Sequence, residues 1–237
     1  MPPLITIWRI PLEASDKLLA ESHTLLSAEE SHKAAQFKSD IHRRRYTVRH
    51  AAMRQILSRE VKCKPDELHF VQGPFGKPSL QYPFRQVQFN LSHSANIALL
   101  AVSTQVAMGV DIEAQRPLAD LDGLVNQVCN SAEEQLVMNS VDAEQLFFRC
   151  WAGKEAVLKC LGLGLSAAMK EFGVLDTQGQ LIRSPILPTN WSGNGSVELY
   201  LLDNLPEGFA GAVSVLHKRK EQRSEVEIRM QDWHPNH

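Results

Sequence analysis

The carboxylates with the most chemical promise stand on two short segments about forty residues apart. Asp111 and Glu113 lie in Gly109-Val110-Asp111-Ile112-Glu113, and Glu155 lies in Trp151-Ala152-Gly153-Lys154-Glu155-Ala156-Val157-Leu158-Lys159. The first segment reads as a strand, in which side chains i and i+2 share a face. Asp111 and Glu113 then project together, with Val110 and Ile112 buried behind them. Carboxylates held side by side repel unless a cation lies between them, and hard oxygen ligands suit Mg²⁺. The second segment reads as a helix that adds a third carboxylate, Glu155, and two phosphate-seeking ammonium groups, Lys154 and Lys159. An isolated Asp-x-Glu is more often a solvated strand edge, and Glu155 with Lys159 at i,i+4 is more often a surface salt bridge. Neither reading accounts for Gly109, for the small residues Ala152, Gly153 and Ala156, or for Gly162-Leu163-Gly164-Leu165. Glycines there end a helix and let backbone approach a ligand. The pattern is that of a magnesium–pyrophosphate site.

The elements that must position these residues follow from periodicity. Leu4 to Ile10 alternates as an opening strand. Ser27-Ala28-Glu29-Glu30 has the form of a capping box and starts helical sequence that runs, with breaks, to about Val61. Short extended pieces surround the turns at Gly73-Pro74 and Gly76-Lys77-Pro78. Val87–Leu91, Ile97–Ser103 and Ala107–Glu113 read as three successive strands, and a second helical block runs from about Ser131 through Gly162. Its Phe147, Trp151, Leu158 and Leu161 form a buried stripe. Apolar segments follow at Phe172–Leu175, Val197–Leu202 and Ala210–Leu216, and the polar stretch from Lys218 to His237 reads as a strand with a loose end. The order strand, long helix, strands thus occurs twice, with the joint close to Ala107. No repeat is visible in the sequence itself.

A chain of 237 residues with 43% hydrophobic and 22% charged residues can bury a full core. A net charge of −2 sets up no field for nucleic acid or membrane. The basic run His42-Arg43-Arg44-Arg45 with Arg49 and Arg54 is interleaved with Tyr46, Val48, Met53, Ile56 and Leu57, as in an amphipathic helix rather than a nucleic-acid patch. The opening MPPLITIWRIPLEASD lacks the pattern of a signal peptide, and no apolar run approaches membrane-spanning length. Cys63, Cys129, Cys150 and Cys160 lack paired spacing for zinc, and Cys150 and Cys160 read as small buried hydrophobes. A cytoplasmic location is expected.

Three further stretches accompany the two acidic segments: Arg43-Arg44-Arg45-Tyr46 with Arg54, Gly76-Lys77-Pro78, and Phe89-Asn90-Leu91-Ser92-His93-Ser94. All five, in this order over roughly residues 37 to 174, resemble the 4′-phosphopantetheinyl transferase superfamily in its larger, surfactin-synthetase-activating subfamily. The resemblance implies an α+β fold of two similar subdomains related by a pseudo-twofold axis. Residues 1–107 would form the coenzyme A phosphate and adenine side. Residues 108–237 would carry the metal site, carrier docking and the polar tail. It implies Mg²⁺ on Asp111, Glu113 and Glu155, with Glu155 the base and Lys159 acting on the phosphates. Arg45, Lys77, Ser92, His93, Lys154 and Lys159 would contact the coenzyme, His93 at the 3′-phosphate. Arg54 reads as structural, and Arg44 is the alternate to Arg45. The activity implied is transfer of 4′-phosphopantetheine from coenzyme A to a serine of an apo acyl or peptidyl carrier protein, releasing adenosine 3′,5′-bisphosphate. The carrier would dock near residues 116–140, where Leu118, Leu121, Leu124, Val125 and Val128 either meet a carrier helix or pack into the core. Neither nucleic acid nor membrane is a partner on this reading, and the chain is expected to be a monomer. Two alternatives stay open: a non-catalytic coenzyme A-binding scaffold of the same fold, and a nucleotide phosphohydrolase.

Overall fold

The computed structural model describes residues 2–164, 169–193, 195–218 and 225–235. The strands are β1 (Leu4–Pro11), β2 (Phe70–Gln72), β3 (Pro78–Leu80), β4 (Gln88–Ser94), β5 (Ile97–Ser103), β6 (Ala107–Ala114), β7 (Ser196–Leu201), β8 (Phe209–His217) and β9 (Glu227–Asp232). The α-helices are α1 (Asp16–His23), α2 (Ala28–Ala35), α3 (Asp40–Val61), α4 (Leu121–Val128), α5 (Ser131–Met138) and α6 (Ala143–Leu161). This is the mixed α/β architecture expected from the sequence.

One sheet has the order β4-β5-β1-β9, another β6-β8-β7, and β2 with β3 forms a separate hairpin. The three successive strands expected from 87 to 113 therefore divide. β4 and β5 form an antiparallel hairpin in the first sheet, while β6 opens the second and pairs with β8. The last strand, β9, returns to lie parallel to β1. Residues 227–232 thus complete the sheet of the first half, although they follow the second half in sequence.

Alternation along β5 explains its wholly buried Ile-Ala-Leu-Leu-Ala-Val-Ser. Ala98, Leu100 and Val102 join Val48, Ala52, Met53, Ile56 and Leu57 of α3 in one cluster. Ile97, Leu99 and Ala101 point the other way, onto Met108, Val110 and Ile112 of β6 and Val213 and Val215 of β8. A strand covered on both faces has no polar side to show. On the far side of the second sheet, Phe147, Ala156, Val157 and Leu158 of α6 pack with Val197, Leu199 and Ala212. The layers run α3, first sheet, second sheet, α6. Each fully buried Val, Leu or Ile adds roughly 1.5–3 kcal/mol of transfer free energy.

Helix boundaries follow local chemistry. Ser27 and Glu30 close the capping box of α2, and α6 ends on Gly162 at φ 69°, a left-handed position where glycine carries no Cβ penalty. The helical block expected from Ser131 to Gly162 is two helices broken at residues 139–142, and α1 and α4 are short helices that the periodicity did not mark. The expected segment Phe172–Leu175 contributes only an isolated bridge, Leu175 to Leu181.

Glu30 fastens α2 to α3. One carboxylate oxygen accepts from Ser27 N at 2.9 Å and Arg54 Nε at 2.5 Å, and the other meets His50 Nδ1 at 3.1 Å. Arg54 also donates to the carbonyls of Pro65 and Leu68, a structural role. Burial alone raises the Glu30 pKa, but hydrogen bonds from His50, Ser27 and Arg54 outweigh it and hold the group at about 2, below its ordinary 4.5. A carboxyl depressed by folding contributes stability above its unfolded pKa and loses it as pH falls through the folded one. Glu30→Gln is expected to cost roughly 3 kcal/mol at pH 7. It is also expected to flatten the acid limb of stability between pH 4.5 and about 2. Urea unfolding across that range checks both effects, and an unchanged acid limb counts against the assignment.

Candidate active site

The site begins with a side-chain ladder between the two sheets. On β4 the apolar face that should continue toward the second sheet carries Asn90, Ser92 and Ser94 instead. Asn90 Oδ1 accepts from Val110 N at 2.8 Å. The Ser92 hydroxyl donates to Asp111 Oδ1 at 2.7 Å. The Ser94 hydroxyl donates to Glu113 Oε2 at 2.9 Å and accepts from Ala114 N at 3.0 Å. Period-two spacing on both strands makes this register possible. Ser92, expected among the phosphate contacts, is an orienter of Asp111 here.

The odd face of β6 lies against α6. A Cβ on Gly109 would fall 2.2 Å from the Ala156 carbonyl oxygen and 2.3 Å from Cys160 N, so only glycine lets the helix approach this closely. That approach brings Lys159 Nζ within 2.5 Å of Asp111 Oδ1 and 2.9 Å of Ser92 Oγ. Asp111, Glu113, Glu155 and Lys159 together line a cavity of about 570 Å³ with Trp151 and His93.

This cavity holds an excess of negative charge in a desolvated place. Burial raises the Asp111 carboxyl above its ordinary pKa, although Lys159 and Ser92 draw it down. Glu113 is raised by burial and by Asp111. Glu155 is raised to about 7, first by burial and further by the charges of Asp111 and Glu113, against the opposing pull of Lys159. Asp111 Oδ2 is buried and has no hydrogen-bond partner among the described residues. An orphaned carboxylate oxygen beside two further carboxylates fits a hard cation. The three groups do not close to within 4.8 Å of one another in this state, since the one cluster that tight among the described residues is Cys129, Glu133 and Cys150.

Strand alternation sends His93 the other way from Ser92, toward α3. His93 borders both the acidic cavity and a second one of about 300 Å³ that holds Arg45, Arg49, His42 and Tyr46. The Nε atoms of Arg45 and Arg49 are buried without partners among the described residues. Arg49 lies 5.5 Å over the Tyr46 ring. Burial lowers the Arg49 pKa to about 10, and desolvation plus the positive charges of Arg49, Lys159, His50 and Arg45 hold His93 at about 4. Such a cluster of cations is an anion site in waiting. Arg49 was not among the expected contacts; its i,i+4 spacing from Arg45 on α3 was the available signal.

One expected coenzyme contact is corrected. Lys154 is fully buried: its Nζ donates to the carbonyls of Val128, Met169 and Phe172 at 2.9, 2.7 and 2.7 Å and pairs with Glu133 at 2.6 Å. An ammonium with four partners in the core reaches no ligand. Glu133 in turn accepts from Val174 N at 2.6 Å, so the pair ties α5 and α6 to the segment after residue 169. Lys77 donates to the carbonyls of Met108 and Cys160 at 2.9 and 3.3 Å, and burial lowers its pKa. It bridges β6 to the end of α6 and lines the wall of the acidic cavity. Val125 and Val128 lie in the core and so are not part of a docking face, while Leu118, Leu121 and Leu124 are half-buried and pack against that core. Leu165, residues 219–224 and residues 236–237 lie outside the described residues.

The comparisons with known proteins agree with this geometry. The family model described as 4′-phosphopantetheinyl transferase superfamily matches residues 107–210, and one described as 4′-phosphopantetheinyl transferase, N-terminal, matches residues 12–105. The chain is 34% identical over 192 residues to the 4′-phosphopantetheinyl transferase HetI of Nostoc sp., covering 79% of this chain and 80% of that one. The chain belongs to the 4′-phosphopantetheinyl transferase superfamily. Sfp of Bacillus subtilis, named for the same activity, is 27% identical over 162 residues, 67% of this chain and 70% of its own. A crystal structure of Thermotoga maritima holo-[acyl-carrier-protein] synthase overlaps 48% of this chain and 65% of its own at 22% identity and a TM-score of 0.40, too slight a match to add to the assignment. No helix of this transferase, among the described residues, is long and apolar enough to cross a membrane.

The buried pair gives a direct test of the structural role of Lys154. Lys154→Met leaves Glu133 charged in the transferase core without its cation, an expected loss of roughly 3–5 kcal/mol. The double variant Glu133→Gln with Lys154→Met should recover much of it, because no uncompensated charge remains. Urea midpoints for the three proteins check this. A single Lys154→Met variant as stable as wild type would show that the ammonium is not the partner Glu133 needs.

Proposed function

We propose that this enzyme transfers 4′-phosphopantetheine from coenzyme A to a serine hydroxyl of an apo acyl or peptidyl carrier protein and releases adenosine 3′,5′-bisphosphate. The reading is supported above all by one arrangement: an acidic cavity with Lys159 in its wall and a basic cavity beside it, joined at His93. A coenzyme with a pyrophosphate and a separate 3′-phosphate has the charges for both. In this reading residues 1–107 supply the basic side and 108–237 the acidic side, with β9 added to the first sheet.

Asp111, Glu113 and Glu155 would hold Mg²⁺. When bound, that ion would neutralise charge on the pyrophosphate. Arg45, Arg49 and His93 would bind the 3′-phosphate and so fix the coenzyme's register. The serine oxygen would then form a bond to the β-phosphorus as the bond from that phosphorus to the bridging oxygen breaks, and the bisphosphate departs with the electron pair. Lys159, on swinging away from Asp111, would stabilise the phosphoryl oxygens. Glu155, the carboxylate of the three that lies on α6, would take the serine proton. Because the nucleophile arrives on the carrier, the enzyme needs no activated serine of its own. One chain lines both cavities, which supports a monomer.

Incubation of a panel of apo carrier domains with coenzyme A and Mg²⁺, read by intact-protein mass spectrometry, tests the proposal. The expected product is a carrier heavier by one phosphopantetheine, and Glu155→Gln should slow single-turnover transfer by ~10²–10⁴-fold. Release of inorganic phosphate with no carrier modified would favour a phosphohydrolase. Coenzyme binding without any product would favour a scaffold.

A further inference from the structure

Resting on that reading, we propose that Ser94 is the positioning residue for Glu113: its hydroxyl holds that carboxylate at the divalent-cation site, although Ser94 itself borders the basic cavity. The two serines of β4 meet the two acids of β6 in one repeated register. Ser92 donates to Asp111 and Ser94 to Glu113, at 2.7 and 2.9 Å and each across 19 residues of sequence. Ser-x-Ser on one strand thus matches Asp-x-Glu on the other, since both spacings keep a single face. The two rungs differ in what else they hold. Asp111 has a further partner in Lys159 at 2.5 Å, whereas Ser94 supplies the one side-chain hydrogen bond of Glu113 among the described residues. Glu113 is half-buried, has one more rotatable bond than Asp111, and stands on the same face as that like charge. Without a donor to fix Oε2, it turns away from Asp111 toward water.

Ser94 is itself held in place. It ends β4 opposite Ile97, across the two-residue turn Ala95-Asn96. Ala95 has φ 48°, the left-handed backbone that a tight hairpin turn uses, and the Asn96 carbonyl accepts from Leu12 N at 2.8 Å. The Ser94 oxygen also accepts from Ala114 N at 3.0 Å, one residue past Glu113. The hydroxyl is therefore gripped by the backbone of β6 while it presents its proton to a side chain of β6. A serine hydroxyl has a single proton to give. Given to Glu113, that proton is not available to an anion in the basic cavity, which Ser94 lines with Arg45 and Arg49. Position alone would assign Ser94 to the 3′-phosphate; the direction of its hydrogen bond assigns it to the metal side. Groups that orient metal ligands in this way typically account for ~10–100-fold in metal affinity.

The test is calorimetric titration of Mg²⁺ into coenzyme A-saturated protein, with adenosine 3′,5′-bisphosphate titrated separately into metal-free protein. Ser94→Ala is expected to weaken Mg²⁺ by at least roughly tenfold and to leave the bisphosphate affinity within about twofold of wild type. In transfer assays its half-saturating Mg²⁺ should rise by a similar factor, with much of kcat regained at excess Mg²⁺. Ser94→Thr keeps a hydroxyl and should stay near wild type in all three readings. Ser94→Cys keeps the size but donates weakly, and should fall between the two. Urea midpoints verify folding, and the cysteine and threonine variants carry the comparison if the alanine variant does not fold. A hydroxyl needed only to hold the two strands together would lower stability and leave Mg²⁺ affinity alone. Equal Mg²⁺ affinity in folded wild type and the alanine or cysteine variant overturns the inference, as does a loss of bisphosphate binding with Mg²⁺ affinity unchanged; either result leaves the transferase reading standing. Absence of Mg²⁺ binding in coenzyme-saturated wild type overturns the metal assignment and this inference with it.

Discussion

Asp111 is a carboxylate buried to 2% exposure at the seam between two sheets, and the site depends on how its charge is tolerated there. Desolvating a carboxylate costs several kcal/mol unless cations and donors replace the lost water. Ser92 supplies one donor from the first sheet and Lys159 one cation from α6, both on Oδ1, while Oδ2 has no partner among the described residues. The result is a half-satisfied charge, stable enough to fold and prepared for a second cation. Everything that brings the three groups together is a packing constraint: the apolar faces shared by β5, β1, β6 and β8, the missing side chain at Gly109, and the serine spacing on β4.

Alternation on β4 also separates the two kinds of charge chemistry. Ser92 faces the carboxylates and His93, one residue on, meets the arginines of α3. A single strand therefore sets acidic and basic cavities side by side without either neutralising the other. Lys154 and Glu155 divide labour in the same way along α6. Consecutive helical residues point about 100° apart, so one enters the core to hold Glu133 and the other lines the cavity.

Much of this was legible in the sequence because it rests on local pattern. Asp111 and Glu113 share a face for reasons of period two, and Glu155 and Lys159 share one for reasons of period 3.6. Lys154 was misread because a buried lysine and a ligand-binding one have the same local signature. Only the distant Glu133 and three carbonyls separate them. Lys77 lines the cavity wall, and its carbonyl partners on Met108 and Cys160 are equally invisible in the local turn. The split of β4, β5 and β6 between two sheets, and the return of β9 to β1, are long-range pairings that no strand announces for itself. Arg49 was visible as a charge, but its place over Tyr46 and beside His93 depends on how α3 is turned toward β4.

The central proposal is that Asp111, Glu113 and Glu155 would hold one divalent cation together with the coenzyme's phosphates. Calorimetric titration of Mg²⁺ into protein saturated with coenzyme A measures it directly, for wild type and for Asp111→Asn. The account predicts one Mg²⁺ per chain for wild type and an affinity reduced by at least roughly tenfold in Asp111→Asn, a change that removes a charge while keeping the shape. Equal Mg²⁺ affinity in the two folded proteins would contradict it.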